Sequence, residues 1–210
     1  MDDHPLVREG VANLINQQPD LEVCGEAAGE PQALALIGGV KPDVAVVDLS
    51  LENGSGLELI KNIKAMHPTV AMLALSMHDE SLYAERALRA GARGYLMKRE
   101  AAKKVIQGIR AVLAGQLFVS EKIAARMAEK FVSGRTEASA SPVKQLSDRE
   151  LEVFQLLGRG QSTRQIADHL HVGFKTVQAY CARIKEKLKL ANATELLRAA
   201  MQWNESHPEN

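Results

Sequence analysis

Three short apolar runs divide the first half of the chain, and an amphipathic helical pattern separates each from the next. They are Val44-Ala45-Val46-Val47, Val70-Ala71-Met72-Leu73-Ala74-Leu75, and Tyr95-Leu96-Met97 after Gly94. A strand-sized run without polar alternation is buried on both faces, as a strand inside a parallel sheet is. The intervening helical patterns fall at about residues 55–67, 79–90 and 101–114, with two more at 5–17 and 29–37. A further alternating segment, residues 21–25, reads as one more strand. Strand and helix in strict alternation imply right-handed βα units and a doubly wound parallel α/β sheet.

Several local signals set the expected boundaries. Pro5 suits a first helical position, and Pro19-Asp20 breaks the helix it opens. Gly38-Gly39 closes the second helix, Ser55 caps the third, and Asp79 and Gly91 bracket the fourth. A helix at about 120–132 carries Ile123, Met127 and Phe131. Composition then changes: residues 133–142 have no large apolar residue and read as a flexible linker. Beyond it the strand signal ends and four helical starts are legible. Ser147-Asp148-Arg149-Glu150 and Ser162-Thr163-Arg164-Gln165 have capping-box spacing, Gly173 precedes a third helix, and Asn192 opens a fourth. The expected domains are residues 1–117, a connecting helix and linker at 118–144, and an all-helical domain at 145–205.

Composition excludes several classes. Net charge is zero over 210 residues, so the whole chain has no charge bias toward nucleic acid or lipid. The longest apolar runs fall far short of the ~20 residues that span a bilayer, so no membrane partner is expected. The two cysteines, Cys24 and Cys181, form neither a metal spacing nor a disulfide framework, which suits a reducing cytoplasm. His169 and His171 lack nearby companions and are discounted as a metal pair.

Ligands of open α/β sheets gather beyond the carboxyl ends of the strands. That rim collects Asp48, Ser76 and Lys98 from three successive strands, and Asp2 and Asp3 ahead of the first helix. Carboxylates brought together repel unless a cation sits among them, and oxygen ligands suit Mg²⁺. A lysine and a hydroxyl beside them can answer the oxygens of a phosphoryl group. Asp48 thus reads as a nucleophile that accepts a phosphoryl group. These residues, with Tyr95-Leu96-Met97-Lys98, resemble the receiver domain of bacterial two-component response regulators over about residues 2–114. The resemblance implies a flavodoxin-like fold and phosphorylation of Asp48 by a sensor histidine kinase. It implies Mg²⁺ bound by Asp3, with Asp2 nearby and the Ser50 carbonyl completing the site. Ser76 and Tyr95 match the pair that reorients on phosphorylation. It also implies an apolar strand of about five residues before the acidic pair. Here Met1 stands alone, so the sheet is expected to lack its first strand, and the native product to begin upstream or this form to be poorly phosphorylated.

In the helix expected at 174–188, Val177, Cys181, Ile184 and Leu188 form an inward stripe. Lys175, Ala179, Ala182 and Arg183 then face outward, with Gln178 on one shoulder. Five bases against one acid lie between Gly173 and Leu190, the layout of a helix-turn-helix reader. Residues 145–203 resemble the LuxR-type DNA-binding domain, through Leu146-Ser147-Asp148-Arg149-Glu150, Ser162-Thr163-Arg164-Gln165-Ile166-Ala167 and Lys175-Thr176-Val177-Gln178. With a receiver ahead of it, this is similar to the NarL/FixJ class. The class implies contacts to double-stranded DNA from Ser162, Thr163, Arg164, Lys175, Thr176, Gln178, Ala179, Ala182, Arg183 and Lys187, and a homodimer formed through the last helix. Gln178, Tyr180 and Ala193 depart from its usual Lys, His and Arg.

The expected function is a phosphorylation-switched transcription regulator, not an enzyme. A constitutive DNA-binding protein whose receiver serves dimerisation is the alternative. An aspartyl-phosphate hydrolase is the enzymatic rival, but it needs an acid two residues after the nucleophile, where this chain has Ser50.

Overall fold

The computed structural model describes residues 1–51, 54–133 and 142–207. The chain forms two compact units, Met1–Val132 and Ser133–Asn210. Most of the expected linker, residues 134–141, lies outside the described residues.

The first unit is built on three parallel strands: β1 (Val44–Asp48), β4 (Ala71–Ser76) and β5 (Gly94–Met97), in the order β1-β4-β5. A two-residue ladder, β2 (Ser50–Leu51) with β3 (Gly54–Ser55), stands beyond the end of β1. The register sets Asp48 opposite Leu75 and Ser76 opposite Met97, so the strands end together. Helices α1 (Pro5–Asn16) and α5 (Ala101–Leu113) pack together on one face. On the other face α3 (Gly56–Met66) packs on β1, with α2 (Glu30–Val40) and α4 (Glu80–Ala90) beside it. The core under α5 is aliphatic: Leu73, Leu75, Leu96, Val105, Ile109 and Val112 are all buried. Each such side chain contributes about 1.5–3 kcal/mol.

Four local expectations need correction. Residues 21–25 form no strand, because a strand exists through a ladder with a neighbour. Between this segment and β1 stand Met1 and Asp2, whose bonds reach Val46, Asp48 and Ala27. Helix α2 runs through Gly38 and Gly39 to Val40, and Lys41 in the left-handed region (φ 53°) ends it. Ser55 sits at the cap position of α3 without a side-chain cap bond. Finally α6 (Glu121–Ser133) is not a free connector. Ile123 is buried, Arg126 donates to the Ser81 carbonyl at 3.2 Å, and Lys130 pairs with Glu85 at 2.6 Å, fastening α6 to α4.

The second unit consists of α7 (Asp148–Gly158), α8 (Thr163–His169), α9 (Phe174–Leu188) and α10 (Ala193–Ser206). Both capping boxes form, at Ser147/Glu150 and Ser162/Gln165, and Asn192 accepts from the Glu195 N–H. Leu151, Phe154, Ile166, Val177, Ile184 and Leu196 are buried at its centre. Gly158 allows α7 to meet α10, since a Cβ there would strike the Ala200 carbonyl. Val177 and Ile184 keep their expected inward places, while Cys181 and Leu188 are half-buried.

Candidate functional site

β1 delivers Asp48 to the rim with its side chain wholly buried. The chain then turns sharply: Leu49 N–H bonds the Leu75 carbonyl, and Gly56 N–H bonds the Leu49 carbonyl. A Cβ on Gly56 would collide with the Asp48 carbonyl, so the start of α3 can lie against the site because residue 56 is glycine. Asp48 Oδ1 accepts the Ser50 N–H at 3.1 Å, and Oδ2 accepts from Lys98 Nζ at 2.7 Å. Lys98 follows β5 directly, so the parallel sheet itself aims the ammonium at Asp48.

Asp2 and Asp3 come to the same place by another route. Met1 is bonded to β1 at Val46 and Asp48, and this holds Asp2 buried beside Lys98. Lys98 Nζ is also 2.8 Å from Asp2 Oδ2, so one ammonium is shared between the Asp2 and Asp48 carboxylates. Asp2 Oδ1 accepts the His4 N–H at 2.9 Å, and Asp3 Oδ1 lies 2.7 Å from His4 Nδ1. Ligand atoms of Asp2, Asp3, His4 and Asp48 all lie within 4.8 Å of one another. Three carboxylates gathered this closely, with oxygen donors alone besides His4, fit a hard divalent cation such as Mg²⁺.

Burial pushes the Asp48 carboxyl up to about 6, against the pull of Lys98 and the Ser50 N–H. Burial alone would lower Lys98, but its bonds to Asp2 and Asp48 outweigh that and hold it above the usual lysine value. The site thus keeps its lysine charged beside a carboxyl group that burial raises.

Ser76 and Tyr95 are buried behind this cluster. Ser76 Oγ accepts the His78 N–H at 3.0 Å, and the Tyr95 hydroxyl donates to the His78 carbonyl at 2.8 Å. Burial raises the Tyr95 hydroxyl, which stays protonated. Both side chains therefore hold the loop that leads into α4. Sequence reasoning missed His4 and His78. His4 follows the acidic pair directly, a signal that was available. The His78 ring stacks on Tyr83 and lies 2.9 Å from Ser50 Oγ, a contact across 28 residues that no local pattern announces.

In the second unit, Lys175, Thr176 and Gln178 lie exposed in the first turns of α9, with Ala182 and Arg183 exposed further along. Ala179 is half-buried. The Arg183 guanidinium stands 5.7 Å from the centre of the Tyr180 ring, within cation–π range. Arg164 is exposed and Thr163 half-buried at the start of α8, while Ser162 spends its hydroxyl on Gln165. Lys187 is drawn into the unit: its ammonium bonds buried Glu150 at 2.6 Å and the Gln145 carbonyl at 3.3 Å. Burial would raise Glu150, but Lys187 and the Ser147 cap overcome it and hold the carboxyl below its usual value. His169 and His171 join no cluster of three potential metal ligands among the described residues.

Comparison with known proteins agrees with both halves. Residues 1–110 match the family described as response regulator receiver domain, and residues 144–200 the luxR family of bacterial regulatory proteins. The oxygen regulatory protein NreC of Staphylococcus aureus is 36% identical over 205 residues, covering 96% of this chain and 94% of that protein. RcsB of Salmonella enterica serovar Typhimurium, solved bound to a promoter in the presence of the phosphomimetic BeF3⁻, is 25% identical with a TM-score of 0.67, covering 96% of each chain. A LuxR-family two-component response regulator from Aurantimonas is 38% identical with a TM-score of 0.57, over 62% of this chain and 94% of that one. Acidic rim, buried lysine and four-helix unit thus come together in one lineage, and the chain belongs to the NarL/FixJ-type two-component response regulators, a receiver domain joined to a LuxR-type DNA-binding domain.

Proposed function

We propose that Asp48 is the phosphoryl acceptor and that its phosphorylation controls sequence-specific DNA binding through α9. The carrying observation is a buried carboxylate 2.7 Å from Lys98, with Asp2, Asp3 and Asp48 oxygens gathered within 4.8 Å. An Asp48 oxygen attacks phosphorus, and the bond from phosphorus to the donor nitrogen of a phosphohistidine breaks. The electron pair leaves with the imidazole, and an aspartyl phosphate forms. Lys98 offsets charge on the transferring group, and the Ser50 N–H orients the carboxylate. Asp3 and Asp48, with the Ser50 carbonyl and Asp2 nearby, would hold Mg²⁺, which supplies positive charge against the repulsion between carboxylates and phosphate.

The switch follows from the bonds at His78. A phosphoryl group on Asp48 offers Ser76 Oγ a new acceptor. Rotation of Ser76 breaks its bond to the His78 N–H and disturbs the loop that Tyr95 also holds. That loop ends in the Asp79 cap of α4, so the change passes into α4. The partners are a sensor histidine kinase, double-stranded DNA and a second copy of the chain, and the setting is the cytoplasm. No helix among the described residues is long and apolar enough to cross a membrane. The RcsB structures, with DNA and with a phosphomimetic, support the reading by likeness.

Small phosphodonor labelling tests the acceptor. The native chain should take an acid-labile phosphoryl group when Mg²⁺ is present, and Asp48→Asn should take none while keeping its circular dichroism. Equal stoichiometry in the variant would move the acceptor elsewhere.

A further inference from the structure

Val177 and Ile184 are buried and mark the inward side of α9. Helical periodicity then sets Lys175, Ala179, Ala182 and Glu186 down the middle of the opposite side. Gln178 stands on one flank of that strip. Thr176, Tyr180 and Arg183, spaced i, i+4 and i+7, line the other. A strip with two alanines at its centre can approach a groove closely, and the longer side chains on its flanks then meet the groove's edges.

Tyr180 and Arg183 are paired on their flank. The guanidinium carbon stands 5.7 Å from the centre of the ring and over its face. Tyr180 is half-buried and Arg183 exposed, so the ring is the fixed member and the guanidinium the one it holds. Among the described residues the Arg183 guanidinium makes no ion pair and no hydrogen bond. Lys187, four residues on, is by contrast spent on Glu150 and the Gln145 carbonyl. A cation–π contact consumes no N–H donor, so the whole fork of Arg183 stays open to an anion.

Ordering a long side chain on an anion costs rotamer freedom. A ring that already holds the guanidinium lowers that cost, because less is lost when the anion arrives. We propose that Tyr180 is a positioning residue for DNA, its ring presetting Arg183 to take a backbone phosphate beside the groove that α9 enters. This rests on the reading that α9 binds DNA and adds a residue to it. The contact is to a phosphodiester, so it adds affinity without choosing bases, and base reading stays with the other flank at Gln178.

A double-mutant cycle on the full chain tests the pair. Affinity is read by fluorescence anisotropy on a duplex enriched from a random pool by the native phosphorylated chain, with every variant treated alike with phosphodonor and Mg²⁺. Tyr180→Leu should weaken binding about two- to fivefold, and Tyr180→Phe, which keeps the ring, should bind as the native chain does. In an Arg183→Ala background, Tyr180→Leu should cost nothing more. Native affinity in Tyr180→Leu would overturn the proposal. So would a loss that persists in full without Arg183, which marks a packing role. So would a loss in Tyr180→Phe equal to that in Tyr180→Leu, which marks a hydroxyl contact. Native affinity in Arg183→Ala while Lys175→Ala weakens binding would overturn the proposal and leave the reading of α9 standing. Native affinity in both would overturn that reading as well.

Discussion

Asp48 pairs a wholly buried carboxyl with a lysine that stays charged, and this fixes the sign of two pH effects. The nucleophile is the ionised form. Without divalent cations, labelling by a small phosphodonor should rise with pH about a midpoint near 6, and Mg²⁺ should move that midpoint lower. A labelling rate that stays flat between about pH 5 and 7 would contradict the burial argument. For stability the sign is opposite. The folded carboxyl binds its proton more tightly than the unfolded one, so this group favours the fold at low pH. It costs stability as pH rises from about 4 to about 6. Glu150 runs the other way. Its folded value is depressed, so its pairing with Lys187 stabilises the second unit at neutral pH and is lost as pH falls through that value. Lys187→Ala should therefore destabilise the chain by about 1–2 kcal/mol, a figure discounted because the lysine is partly solvated. Denaturant unfolding checks it, and a change below about 0.3 kcal/mol would show that the pair with Glu150 adds nothing to the fold. Asp48 and Lys98 were legible in the sequence because a parallel sheet gathers its strand ends, and Asp2 and Asp3 because they stand ahead of the first helix at the same rim. His78 was not, since its contact with Ser50 depends on how two loops fold over the rim.

At the scale of elements, fully apolar strands and capped helices were readable because their signals are local. The three strands and both capping boxes form where the pattern lies. The failures are elements whose state depends on a neighbour. Segment 21–25 has strand alternation but no complete ladder beside it. Helix α2 runs past two glycines because packing on α3 outweighs their helix cost of about 1 kcal/mol each. Helix α6 looked like a connector until Lys130 and Arg126 met α4. Helix α9 carries a prediction of its own. Lys175→Ala should weaken binding to all duplexes and flatten the salt dependence by about one unit. Gln178→Ala should instead cost about 1–3 kcal/mol at one base pair and relax preference there. Competition titrations at two salt concentrations separate the cases, and an unaltered preference in Gln178→Ala removes that residue from base reading.

Across the whole molecule, the account joins a receiver that takes a phosphoryl group to a domain that reads DNA. Two domains on one chain are coupled when the modification has different contacts in two states. Under the proposed mechanism, Ser76, Tyr95 and the loop at His78 supply such contacts inside the receiver. Leu197 and Met201, four residues apart, are exposed on α10, the helix through which the family resemblance implies a homodimer. The direct test is DNA affinity at fixed salt, measured by fluorescence anisotropy on a duplex selected from a random pool by the phosphorylated chain. Phosphodonor with Mg²⁺ should tighten binding by the native chain tenfold or more, about 1.4 kcal/mol, and leave Asp48→Asn unchanged. Equal affinity of the native chain with and without its phosphoryl group would contradict the account and identify a constitutive DNA-binding protein.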